Sequence, residues 1–68
     1  MENTKLTMRE KEILKLIYCG KTNKQIAETM HLSIHTIKFY VTSILKKLGV
    51  EIRIQAVVKA ISQNLFEE

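Results

Sequence analysis

Sixty-eight residues make one small domain, residues 1–68, with no room for a second. A chain this short buries only about 60% of the surface it exposes when unfolded, which argues against an enzyme with a deep, dry pocket. The eleven Lys and Arg outweigh seven carboxylates, all Glu, for a net charge of +4. Cys19 is the only cysteine, so no intrachain disulfide can form. No apolar run is long enough to span a membrane, and the opening Met1-Glu2-Asn3-Thr4-Lys5 lacks the apolar stretch of a secretory signal, so the chain is expected in the cytoplasm.

The placement of charge says more than its sum. Glu2, Glu67 and Glu68 lie at the ends, so residues 3–66 set eleven basic side chains against four Glu, or +7. Between Glu28 and Glu51 there is no carboxylate, while Lys38, Lys46 and Lys47 fall inside. Such imbalance favours a polyanionic partner, although a lysine-rich face that merely keeps the chain solvated would have the same composition.

The elements read as all-α: a compact four-helix bundle. The first helix opens on a capping box, Thr7 with Glu10, and carries the core stripe Ile13, Leu14, Leu16 and Ile17 to about Cys19, where Gly20 stops it. Cys19 is expected as a small buried hydrophobe, and Glu10 and Glu12 as a cap and a solvated face. Thr22 with Gln25 repeats the box and opens a short second helix with Ile26, Ala27 and Met30 inward. His31 and Leu32 make a tight connection. Ser33 caps a third helix running from Ile34 to about Leu48, ended by Gly49. The last helix covers about Arg53 to Gln63, and residues 64–68 are expected to fray.

A short helix, a tight turn and a longer helix make the second and third helices a helix-turn-helix. On the third, Ile34, Ile37, Val41, Ile44, Leu45 and Leu48 share one side and read as core. Opposite them lie His35, Lys38, Phe39, Thr42 and Lys46. A solvated helix has no use for phenylalanine between lysines, whereas one entering a DNA groove does. Lys38 can donate to guanine or phosphate, Phe39 can pack on a thymine methyl, and His35 and Thr42 can bond base edges or phosphate. Thr36, Tyr40, Ser43 and Lys47 flank that face, within reach of phosphates. Phe39 would instead be a satellite core residue if the helix packed differently.

At this point the order Leu6-Thr7-x-Arg9-Glu10-x-Glu12-Ile13-Leu14, Gly20, Asn23-Lys24-Gln25-Ile26-Ala27, Leu32-Ser33, Thr36-Ile37-Lys38 and Lys47-Leu48-Gly49-Val50, then Arg53 and Ala56, resembles the LuxR-type (GerE-like) DNA-binding domain. The likeness covers residues 6–60 with unbroken spacing. It implies a four-helix bundle whose third helix enters the major groove of double-stranded DNA, and a transcription regulator that is free-standing or the output domain of a larger response regulator. Lys38, Phe39 and Thr42 fall where such domains touch bases. Lys24, Ser33, Thr36, Tyr40 and Lys46 fall where phosphate contacts are usual. Tyr40 and Ser43 stand where the family often has His and Asn, and Ile52 replaces a common polar residue before the last helix.

That last helix has more apolar surface than one core-facing stripe needs: Ile54, Val57, Val58 and Ile61, with Ala56 and Ala60 beside them. The surplus suits a homodimer. A partner such as RNA polymerase or another regulator is a further possibility. Two other readings compete: a helical protein-interaction module using that helix, and a promoter-binding domain like that of a sigma factor. No nucleophile–base pair or phosphate loop suggests an enzyme. His31 and His35 are separated by a helix boundary with no carboxylate or cysteine near in sequence, so neither a metal nor another cofactor is expected.

Overall fold

A computed structural model describes residues 5–66, and among them four helices follow in order with no strand: α1 (Met8–Tyr18), α2 (Asn23–Met30), α3 (Ile34–Leu48) and α4 (Arg53–Ser62). The starts are set by hydroxyl caps. Thr7 Oγ1 accepts from Glu10 N at 3.1 Å while Glu10 Oε1 accepts from Thr7 N at 2.9 Å. Thr22 and Gln25 repeat the exchange at 3.1 and 2.9 Å. Ser33 Oγ accepts from Thr36 N at 3.0 Å. Between α2 and α3 the chain reverses at His31, which adopts a left-handed φ of 59° and lets Leu32 N reach Ala27 O at 2.9 Å. Gly49, at φ 71°, ends α3 in the same way.

The core is built from Leu6, Ile13, Leu14, Ile17, Ile26, Ala27, Ile37, Ile44, Leu48, Ala56 and Ala60. Three expectations need correction. Cys19 is exposed. It follows Ile17 by two residues, about 200° around the helix, so it faces away from the stripe. Ile34 is 40% exposed, unlike Ile37, Ile44 and Leu48. Helical side chains lean toward the N-terminus, so the first residue of α3 covers the turn before it, not the bundle. Residues 64–66 do not fray: Leu65 N donates to Ala60 O at 2.9 Å, and the rings of Phe66 and Tyr18 lie 4.8 Å apart. Residues 67 and 68 lie outside the described ones.

Alanines let α4 approach closely. Ala56 and Ala60 are fully buried and Val57 half-buried, whereas Ile54, Val58 and Ile61 point outward at 50–61% exposure. The branched stripe therefore does not cover the bundle, as sequence spacing alone allowed. Ile52 offers no side-chain cap; Gln55 Oε1 instead accepts from Glu51 N and Ile52 N. Two long cations lock α4 in place. Arg53 donates to Asn23 Oδ1 at 2.7 Å and to Lys21 O at 3.0 Å, and Lys59 Nζ donates to Leu48 O at 2.7 Å at the end of α3.

Candidate nucleic-acid interface

The outward face of α3 is as the spacing predicts. His35, Lys38, Phe39 and Thr42 line one shallow concavity, and Phe39, Thr42, Ser43, Lys46 and Lys47 line the next along the helix. Phe39 is 72% exposed, so it is not a satellite of the core. Exposing that much aromatic surface to water is unfavourable by itself, and a partner that covers it would recover the loss. Thr42 Oγ1 donates to Lys38 O at 3.1 Å. Its proton is thereby engaged, which leaves a methyl group and an acceptor lone pair for a base edge. No carboxylate lines either concavity.

The flanking residues divide into two sets. Lys24 is exposed in the first turn of α2, and Ser33 and Thr36 share a hydroxyl–hydroxyl bond of 2.9 Å at the start of α3. Tyr40 is half-buried against the core, with its ring 6.2 Å from that of Phe39. Lys46 is exposed.

Ser43 and Lys47, by contrast, have internal partners. Ser43 Oγ donates to Glu10 Oε2 at 2.7 Å, and Lys47 Nζ donates to Glu10 Oε1 at 2.8 Å and to Lys5 O at 3.3 Å. A serine has one hydroxyl proton, so Ser43 cannot also donate to phosphate while that bond stands. Lys47 keeps one of its three N–H donors.

Glu10 is thus more than a cap. It is only 4% exposed and joins the first turn of α1 to the last half of α3. Burial works to raise its pKa. The Lys47 ammonium, the Thr7 N–H and the Ser43 hydroxyl together outweigh that and hold the carboxyl below the ordinary carboxylate range. Sequence reading missed this link because its partners are 33 and 37 residues away. The available signal was Ser43 and Lys47 at i, i+4, each beside a core residue of α3.

His31 is the left-handed cap of α2 and His35 lies on the outward face of α3. No group of three metal-ligating side chains occurs among the described residues, and no helix there is long and apolar enough to cross a membrane.

Residues 4–60 match the family model of bacterial regulatory proteins, luxR family. The chain is 48% identical over 62 residues to the response regulator protein VraR of Staphylococcus aureus, matching 91% of this chain and 30% of VraR. It therefore spans less than a third of that relative's length. The solved structure of the response regulator ChrA of a heme-sensing two-component system superposes with a TM-score of 0.91 at 35% identity, covering 96% of this chain and 32% of that one. The structure of the transcription factor GerE gives 0.82 at 28% identity, covering 93% and 92%.

Proposed function

Because the chain belongs to the luxR family of bacterial regulatory proteins, we propose that it regulates transcription as a sequence-specific, non-enzymatic binder of double-stranded DNA. In this reading α3 lies in the major groove. Lys38, Phe39, Thr42 and His35 meet base edges, and Lys24, Ser33, Thr36, Tyr40, Lys46 and the remaining donor of Lys47 meet phosphates. Ser43 is left to Glu10. The observation that carries the reading is Phe39, 72% exposed on a helix face with lysines on both sides and no carboxylate. Aromatic and basic groups interleaved on one helix fit a groove lined by phosphates and thymine methyls.

The outward stripe Ile54, Val58 and Ile61, with Val57 at its edge, would pair with its equivalent in a second copy about a two-fold axis. Two copies would then read two half-sites. The protein would act in the cytoplasm, where promoters are accessible.

Selection of bound sequences from a random duplex pool at near-physiological salt tests the reading. An enriched inverted repeat is expected. An unrepeated half-site would keep DNA recognition and remove the dimer. Weak binding without enrichment would favour a module that docks on another regulator through α4.

A further inference from the structure

Phe39 and Thr42 are the two side chains that line both concavities on the outward face of α3, so they stand together between them. One concavity, of about 310 Å³, adds His35 and Lys38. The other, of about 320 Å³, adds Ser43, Lys46 and Lys47. The centre of the face is therefore an apolar pair with cations toward either end of the helix. Its two members are three residues apart, which puts their β-carbons about 5–6 Å from one another.

Thr42 is offered to a ligand as a hydrocarbon more than as an alcohol. Its Oγ1 donates to Lys38 O at 3.1 Å, one turn back along the helix. A threonine has one hydroxyl proton, so the donor is used inside the protein, and the bond fixes the rotamer that carries the methyl. Phe39 is held as well. Its ring meets that of Tyr40 edge-on, with centroids 6.2 Å apart and an interplanar angle of 68°, and Tyr40 is half-buried against the core. Both apolar groups are thus set in place before a ligand arrives, and little freedom is lost when one does.

A base edge that only donates or accepts hydrogen bonds gives such a pair nothing to cover. The apolar group that base edges offer in the major groove is the 5-methyl of thymine. Successive bases of a strand lie about 3.4 Å apart along the axis, and the twist of the duplex adds a lateral offset, so the methyls of neighbouring thymines fall within the span of the two side chains. Resting on the DNA reading above, we propose that the site read by one copy of the chain carries two adjacent thymines recognised by their 5-methyl groups. Phe39 covers one methyl and Thr42 the other. Thr42 selects through its methyl, not its hydroxyl.

The test takes the duplex enriched from a random pool by the full 68-residue chain, in which adjacent thymines are expected, and replaces each thymine by uracil. That exchange removes the methyl and keeps the hydrogen-bonding groups of the base. Each replacement should weaken binding about fourfold in competition, the contribution of one buried methylene, and both together about fifteenfold. Phe39→Ala should make one of the two positions indifferent to uracil, and Thr42→Ser the other. Thr42→Val, which keeps the methyl and drops the hydroxyl, should bind within about twofold of the parent and still prefer thymine. Both residues are exposed, so all three variants should melt near the parent.

An enriched site without adjacent thymines, or one that tolerates uracil, would overturn the proposal and leave DNA binding intact. So would a uracil penalty that survives both Phe39→Ala and Thr42→Ser, because it would then belong to the duplex itself. A Thr42→Val variant that loses as much affinity as Thr42→Ser would make the hydroxyl the reader and overturn the role given to the methyl. No enriched sequence at all is a different result, which would remove the DNA reading and this proposal with it.

Discussion

Lys38 and Glu10 show how differently two charged side chains can serve one helix. Lys38 is exposed at the centre of the outward face of α3, and its ammonium can donate to guanine O6 and N7. Lys38→Ala should cost about 1–3 kcal/mol on the selected site and relax preference at one position, read by competition between matched and mismatched duplexes. An equal loss on all sequences would make it a phosphate contact. Glu10 acts from behind, holding Ser43 and Lys47 on the same helix. Since its folded pKa is lowered, the stabilisation is complete above the ordinary carboxylate range and disappears as pH falls through the lowered value. Glu10→Gln should therefore melt lower than the parent at neutral pH, by the equivalent of about 1–3 kcal/mol. The gap should close by strongly acid pH, because other carboxylates titrate alike in both proteins. A gap that persisted there would show that shape, and not charge, joins α1 to α3. The local half of Glu10's role, its capping box, was legible from Thr7 three residues away. The tertiary half was not, since nothing local marks a carboxylate for partners 33 and 37 residues on.

Among elements, α3 was the most legible. Fifteen residues give four turns of consistent periodicity, so the core and outward faces separate by spacing alone, except at Ile34, which as the first residue of the helix leans over the turn before it and stays 40% exposed. α4 was harder to read. Its ten residues are apolar on more than one side, and spacing cannot say whether branched or small side chains face the bundle. Packing decides: Ala56 and Ala60 admit a close approach that valine would prevent, and so Ile54, Val58 and Ile61 are turned out. Val58→Asp tests what that surface is for. Val58 is 60% exposed, so the monomer's unfolding free energy should change by less than about 1 kcal/mol. Binding to an inverted repeat should lose its cooperativity while affinity for a single half-site stays near the parent's. Unchanged cooperativity in a gel-shift titration would move the dimer contact elsewhere.

The whole molecule has little stability to spare. At roughly 0.05–0.15 kcal/mol per residue, a domain of this length is worth only about 3–10 kcal/mol. Five side chains, Ile13, Leu14, Ile26, Ile37 and Ile44, are the largest that are fully buried. Ile44→Ala should cost about 2–5 kcal/mol in urea unfolding, a large share of that total. A cost below about 1 kcal/mol would mean that the surrounding helices collapse onto the cavity. The tail beyond α4 belongs in this account: Leu65 and Phe66 add apolar contact where chain-end position alone suggested none.

The contact of the tail with α1 also fixes the geometry of the chain's two described ends. Lys5 and Leu6 share a cleft with Gln63 and Leu65, beside the last turn of α3. At 1.5 Å per residue, His35 lies about 20 Å away along the helix. A fluorophore or fused protein attached ahead of Lys5 would thus leave beside the last turn of α3, clear of the side chains offered to the groove.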